Sequence, residues 1–238
     1  QSEAMRARGE EVKRWHEIKT GTIFLLEDRV TCGDKRARPT ILRRAFLATR
    51  AEAYEFGQQL YAEAVRQGLL VAEEVYIVAD GAVWIWNLAH DRFPMAKGTL
   101  DKYHANHHLE TLSVALHGEG EQARQWVKRQ KERLGKGDDE VFLKTVEQLA
   151  RIIDETPSKT CYVDEDAVLR EWEYFNRHRE HLDYRAKADR GLPIGSGCIE
   201  STCKQYQLRV KRMGQFWLRE NLEGMLLLYS RHLSFLWN

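Results

Sequence analysis

Two carboxylates, Asp80 and Glu200, are the residues of this 238-residue chain best placed by type and context to do chemistry. Asp80 ends the apolar run Val75-Tyr76-Ile77-Val78-Ala79 and is followed at once by Gly81. Such a run predicts a strand covered on both faces, and the end of a covered strand is where α/β folds present reactive groups. Glu200 stands near the start of the helix that follows the rigid turn Gly191-Leu-Pro-Ile-Gly-Ser-Gly, with Ser196 its expected cap. If that strand and that helix lie side by side, the two acids converge as hard oxygen ligands suited to Mg²⁺ or Mn²⁺. Two such ions about 3.5–4 Å apart can activate a water or a 3′-hydroxyl against a phosphodiester. The plainer reading is that Asp80 caps a turn and Glu200 enriches a first helical turn, where acids suit the macrodipole.

Asp101 and His104 form a second cluster, in Leu-Asp-Lys-Tyr-His-Ala-Asn-His-His-Leu. Asp101 can N-cap the following helix, with His104 in its first turn and His108 one turn further on. They serve either chemistry beside the carboxylates or capping and local packing. Zinc is a poor fit, because Cys32, Cys161, Cys198 and Cys203 show no paired CxxC spacing. The third cluster is basic. Between Ser201 and Arg219 stand Lys204, Arg209, Lys211, Arg212 and Arg219 with no Asp or Glu among them, and Phe216 and Trp217 accompany them. Cations contact phosphates while aromatic faces stack on splayed bases, so this combination suits a nucleic acid. A solvated basic face with both aromatics buried is the alternative.

Other motifs are weaker. Trp84, Ile85 and Trp86 follow Asp80 too closely to form a site of their own and are expected to pack behind it. Gly195-Ser196-Gly197 is too short for a specific phosphate loop and fails the Gly-x-Ser-x-Gly hydrolase pattern.

The elements that must position these residues read as strands, then helices. Val12–Ile18 and Thr22–Leu26 have strand composition, with Gly21 either a turn or a bulge between them, and a further strand is expected near Arg44–Thr49. Ala53, Phe56, Leu60 and Ala64 recur with helical spacing up to Gly68. A short extended piece at Gly98–Leu100 precedes a helix over Lys102–His117, and only helical patterns follow from Glu119 to about Arg179. In the helix after Ser196, Ile199, Cys203, Tyr206 and Val210 form an apolar stripe beside the polar stripe Glu200, Lys204, Gln207 and Lys211. Leu222, Met225, Leu226, Tyr229 and Leu233 mark a last amphipathic helix.

Composition sets the frame. At 43% hydrophobic and 31% charged, the chain falls outside the disordered, collagen-like and disulfide-miniprotein classes. Its longest apolar runs fall short of the roughly 18 residues a membrane span needs. Four cysteines without a secretory leader point to the cytoplasm, in a nucleoid-facing role. With 37 Lys+Arg against 36 Asp+Glu, net charge argues for no polyanion partner, and only the local basic stretch does.

In order and spacing, the motifs around Asp80, Asp101-x-x-His104, Gly-Leu-Pro-Ile-Gly-Ser-Gly-x-Ile-Glu200 and Arg209-x-Lys-Arg-Met-Gly-x-Phe-Trp217 resemble bacterial insertion-sequence transposases of the DDE class. These are similar to the Mutator-like eukaryotic group, and the likeness runs from about Trp15 onward. It implies an α/β fold, an RNase H-like mixed sheet flanked by helices, with an all-helical insertion before the last catalytic helix. The core would occupy residues 1–118 and 181–238 and the insertion residues 119–180. By the same resemblance, Asp80 and Glu200 are catalytic carboxylates of a two-ion Mg²⁺ or Mn²⁺ site, and Asp101 with His104 is the short motif beside it. Lys204, Arg209, Lys211, Arg212 and Trp217 would meet DNA, bound by a homodimer or higher oligomer.

One departure matters. The family's first aspartate precedes a Trp-x-Glu-x-Lys strand, here Trp15-His-Glu17-Ile-Lys19, yet no aspartate stands before Trp15. The chain therefore reads as truncated at its N-terminus and inactive for want of that carboxylate, unless Glu17 or Asp28 replaces it. The rival expectation is a non-catalytic nucleic-acid-binding remnant that keeps the basic helix.

Overall fold

The computed structural model describes residues 17–30, 39–155, 164–212, 215 and 217–234. Trp15, Cys32, Cys161 and Phe216, and most of the strand expected at Val12–Ile18, lie outside the described residues. The chain divides into two compact units, residues 1–70 with 198–238, and residues 71–197.

In the first unit, β1 (Lys19–Ile23) pairs antiparallel with β4 (Ala45–Thr49), Lys19 opposite Thr49 and Ile23 opposite Ala45. The register runs unbroken through Gly21, which is neither turn nor bulge. Its lack of a side chain serves packing: a Cβ there would come within 2.8 Å of Leu60 Cδ1 on α1 (Ala53–Arg66), the helix that covers the pair. A two-residue ladder joins β2 (Arg29–Val30) to β3 (Thr40–Ile41). The chain returns late in sequence as α8 (Gly197–Val210) and α9 (Arg219–Leu233). Ala48, Tyr206 and Leu226 form the core here, with Val210, Leu222, Tyr229 and Leu233 packed around it. The apolar stripes predicted for α8 and α9 thus supply this core, through Tyr206 and Val210 of the first and Leu222, Leu226, Tyr229 and Leu233 of the second. The one buried phenol in this core is satisfied: Tyr206 Oη lies 2.6 Å from Ser230 Oγ. Burial pushes its pKa up to about 12.

In the second unit, β5 (Tyr76–Ala79) and β6 (Lys97–Leu100) run parallel, with α2 (Val83–Arg92) as the crossover between them. Trp84, Ile85 and Trp86 therefore lie on a helix that starts behind Asp80. Then come α3 (Lys102–His117), α4 (Glu121–Lys136), α5 (Asp139–Glu155), α6 (Glu165–Arg177) and the short α7 (Tyr184–Asp189). Leu100 of β6, Leu109 and Leu112 of α3, Trp126 and Leu134 of α4, Phe142 and Val146 of α5, and Val168 and Phe175 of α6 share one core. The helical block is thus packed on the strand pair itself. Burial of nine such side chains at about 1.5–3 kcal/mol each is what holds the unit together against chain entropy.

The expected RNase H-like mixed sheet is not the fold. Among the described residues the strands form three separate two-stranded sheets, β1–β4, β2–β3 and β5–β6, and the chain is otherwise mostly helical. The apolar run Tyr76–Ala79 that predicted a wide sheet has one strand neighbour, β6, and of its four residues only Ala79 is buried. No helix among the described residues is long and apolar enough to cross a membrane.

Candidate functional site

Parallel pairing brings two acids to one end of the second unit. The last residue pair of the β5–β6 ladder is Ala79 with Leu100, and Asp80 and Asp101 are the next residues on each strand. The Asp101 amide donates to Ala79 O at 2.7 Å, which extends the register by one step. The two side chains then part company in role.

Asp101 is fully buried and spoken for. Its Oδ1 accepts the amides of Tyr103 (2.7 Å) and His104 (2.9 Å) as the N-cap of α3. Its Oδ2 accepts the amide of Ser196, in the turn expected to cap α8, and Lys102 N also donates to Ile194 O at 3.1 Å. The Asp101 carboxylate thus ties the glycine-rich turn to the head of α3. Burial alone would push its pKa up, but the hydrogen bonds from Ser196 and His104 outweigh it and hold it below the ordinary carboxylate value. The exposed His104 ring sits beside it, Nδ1 3.3 Å from Oδ1.

Asp80 is only half-buried. Its Oδ1 accepts the Ala82 amide at 2.9 Å, closing a turn, and its carbonyl accepts the Trp86 indole N–H at 2.8 Å. Asp80 Oδ2 takes no hydrogen bond among the described residues, so of the two acids Asp80 retains acceptor capacity.

Around this end lie residues the sequence did not single out. Tyr174, on α6, presses its ring onto Gly81, where a Cβ would come within 2.1 Å of Tyr174 Cε2. Its opposite face stacks on His108 at 3.6 Å, and His108 Nδ1 meets Glu171 Oε2 at 2.6 Å. The Tyr174 hydroxyl is buried with no hydrogen-bond partner, as is that of Tyr184. Burial raises both phenol pKa values, and the charges of Asp80, Glu171 and Asp101 raise that of Tyr174 further. Buried His178 places Nε2 3.3 Å from the Gly81 carbonyl, and Trp86 stacks on His181 at 4.1 Å. The Asp80-Gly81 turn is therefore cradled by Tyr174, His178 and Trp86. Their signal was faint but present: Glu171 and Tyr174 on α6 and His178 at its C-terminal cap stand at i, i+3 and i+7, a spacing that reads as core when no partner strand is known. Adding a methyl to this turn is expected to overpack it. Gly81→Ala should lose about 2 kcal/mol in urea unfolding, and a double-mutant cycle with Tyr174→Leu should show coupling between the two changes.

The other expected residues fall in the first unit. Glu200 is exposed in the first turn of α8. Cys203 Sγ lies 3.2 Å from Thr20 Oγ1, and burial pushes the Cys198 thiol pKa up, which keeps it protonated and inert. Lys204, Lys211 and Arg212 are exposed; Arg209 is half-buried and lies over the Trp217 ring at 6.0 Å. Trp217 donates its indole N–H to Val210 O at 3.0 Å, and Arg212 Nε donates to Leu208 O at 3.1 Å. Trp217 is thereby folded back on the helix end and half-buried there.

Catalytic assembly of the DDE kind does not emerge. Among the described residues no group of three or more His, Cys, Asp or Glu side chains is placed to hold a metal ion, and the sheet that would position such a group is absent. Asp80 belongs to the second unit and Glu200 to the first. The readings of this chain as a DDE transposase, as an insertion-sequence strand-transfer enzyme and as a remnant of one are corrected accordingly. The physical reason is that Asp101, read as part of that site, spends both oxygens on backbone amides.

Comparison with known proteins places the chain elsewhere. Residues 59–234 match the model of the Uncharacterised protein family (UPF0236), and the chain belongs to that family. No curated protein and no solved structure matches it.

Proposed function

We propose that this protein binds nucleic acid through the basic end of α8 and the segment that follows it. The observation that carries the reading is the run from Ser201 to Arg219, which holds Lys204, Arg209, Lys211, Arg212 and Arg219 and no acid. Lys204 lies on the exposed side of α8, and Lys211, seven residues on and also exposed, directly follows the helix with Arg212 next to it. Arg209, held over Trp217, stiffens the exit from the helix so that these cations are presented together. Such a surface reads the phosphate backbone and carries no base specificity of its own. A competing account is that bases at a helix C-terminus merely complement its dipole, worth about 0.3–1 kcal/mol each.

Binding measured by fluorescence anisotropy separates the two accounts. Labelled DNA should bind with log Kd rising with log salt at a slope of about 4.5 for duplex and about 3.5 for single strands if all five basic residues meet phosphates. Lys211→Gln with Arg212→Gln should reduce that slope by about 2. No binding at low salt, or a slope indifferent to the double substitution, would reject the proposal and leave the dipole account.

A further inference from the structure

A second charged feature lies at the other end of the β5–β6 pair, at the strand starts. There a cleft of about 340 Å³ opens beside α7, lined by Tyr76, Lys97, His181, Lys187 and Arg190 among others. Three of its donors come from three places in the chain: Tyr76 begins β5, Lys97 begins β6, and Arg190 follows α7. All three converge on one carboxylate. Glu74, from the segment before β5, accepts Lys97 Nζ at Oε1 and both Arg190 Nη2 and Tyr76 Oη at Oε2, each at 2.5 Å. The ammonium and the guanidinium also stand over the Tyr76 ring, at 5.9 and 5.7 Å, so the ring holds both cations in place.

The remaining charges are accounted for. Lys187 is buried, donates to Gly98 O at 2.6 Å and is ion-paired with Asp183, so it is no part of the cradle. Asp183 also lines the cleft and is neutralised by Lys187, while Glu180, on the same lining, is exposed to solvent. The acid that satisfies the cradle is Glu74.

Two cations and a phenol around two carboxylate oxygens form the donor set that recognises an oxyanion. The occupant here is tethered by its own backbone, and it is weakly held in free-energy terms. The Glu74 side chain is 38% exposed and its partners 56% and 50%, and ion pairs this wet are screened by solvent and contribute little. A phosphate dianion brings one more charge and one more acceptor oxygen than a carboxylate to the same three donors. We propose that Lys97, Arg190 and Tyr76 form a binding site for a phosphate dianion, free or as a small monoester, which Glu74 occupies as a built-in competitor. A tethered group acts at millimolar effective concentration, so it suppresses weak ligands and yields to a stronger one.

The test is calorimetric titration of the full chain with inorganic phosphate and, separately, glycerol 3-phosphate, at pH 8 and low salt. Glu74→Gln removes the competitor's charge and should bind phosphate at least tenfold more tightly than the parent. Adding Lys97→Gln and Arg190→Gln to that variant should abolish the gain. Glu74→Ala serves as a second opening variant, and circular dichroism confirms that each chain is folded. Tighter binding of one probe than the other tells free phosphate from monoester. Equal phosphate affinity in the parent and in both Glu74 variants would overturn the proposal, as would a gain that survives loss of Lys97 and Arg190.

Discussion

Asp101→Ala should cost this protein about 4 kcal/mol of stability, the largest single loss expected from a polar substitution in it. The side chain is fully buried and accepts three backbone amides, two at the head of α3 and one in the turn at Ser196. Loss of an N-cap costs about 1–2 kcal/mol. Each buried donor left without a partner adds about 1–3 kcal/mol, partly recovered where water can enter. Asp101→Asn keeps one oxygen for the α3 cap but turns an amide donor toward the Ser196 amide, so about 1–2 kcal/mol is expected. The sign of the pH dependence follows from a carboxyl held below its ordinary value: its contribution is present above pH 4 and is lost as the pH falls through its lowered value. Urea unfolding of the three chains at pH 7 measures the first effect. A loss for Asp101→Ala no larger than that of an exposed Asp→Ala change would show that the turn at Ser196 is held by something else.

A second large effect comes from acid, and at a milder pH. His178 is buried against Tyr174, Trp86 and the Gly81 carbonyl, and burial pulls its pKa down to about 4, with the charges of His181, Arg177 and His108 acting the same way and the Gly81 hydrogen bond opposing. The unfolded chain takes up that proton near pH 6.5 and the folded chain does not. Stability is therefore greatest above pH 6.5 and falls as the pH drops from there toward 4, by about 3 kcal/mol from this one imidazole. His181 contributes in the same direction, since burial first and then the charge of Lys187 lower its pKa too. His178→Gln retains a donor for Gly81 and has nothing to titrate. Its stability should fall less between pH 7.5 and pH 4 than that of the parent, and equal slopes for the two chains would remove His178 from the account.

These two residues also show where sequence reading succeeds and where it stops. Asp101 as an N-cap is legible, because capping is local: the acid, the missing amide partners of a first turn and the helical pattern from Lys102 onward stand within a few residues of one another. The strands at Ala45–Thr49, Tyr76–Ala79 and Lys97–Leu100, and helices such as Ala53–Arg66 and Lys102–His117, are legible for the same reason. The Ser196 amide on Asp101, 95 residues away, is not. Nor are Tyr174 and His178 at Gly81, since each reads locally as ordinary helix core, whereas Trp86 is legible there because only six residues separate it from Asp80.

The wide sheet failed on the same ground. An apolar run says that a strand is covered, and it is silent on what covers it, so Tyr76–Ala79 reads the same with β6 as its strand partner as it would inside a wide sheet. Motif order resembled a catalytic family because each motif has a local structural use: a turn at Asp80-Gly81, a cap at Asp101, a tight connection at Gly195-Ser196.

From its own residues alone, the chain settles most of its helices, the strands at Ala45–Thr49, Tyr76–Ala79 and Lys97–Leu100, the cap of α3 and the acid-free basic stretch after Ser201, all of which depend on interactions over a few positions. Tertiary structure alone decided which strands pair, that Asp101 is consumed by backbone amides while Asp80 keeps an open oxygen, and that Glu74 lies across Lys97, Arg190 and Tyr76. The reason is physical. Hydrogen-bond partners and burial at long separation are set by how whole elements pack, and side chains far apart in sequence carry no local mark of the neighbours they will meet.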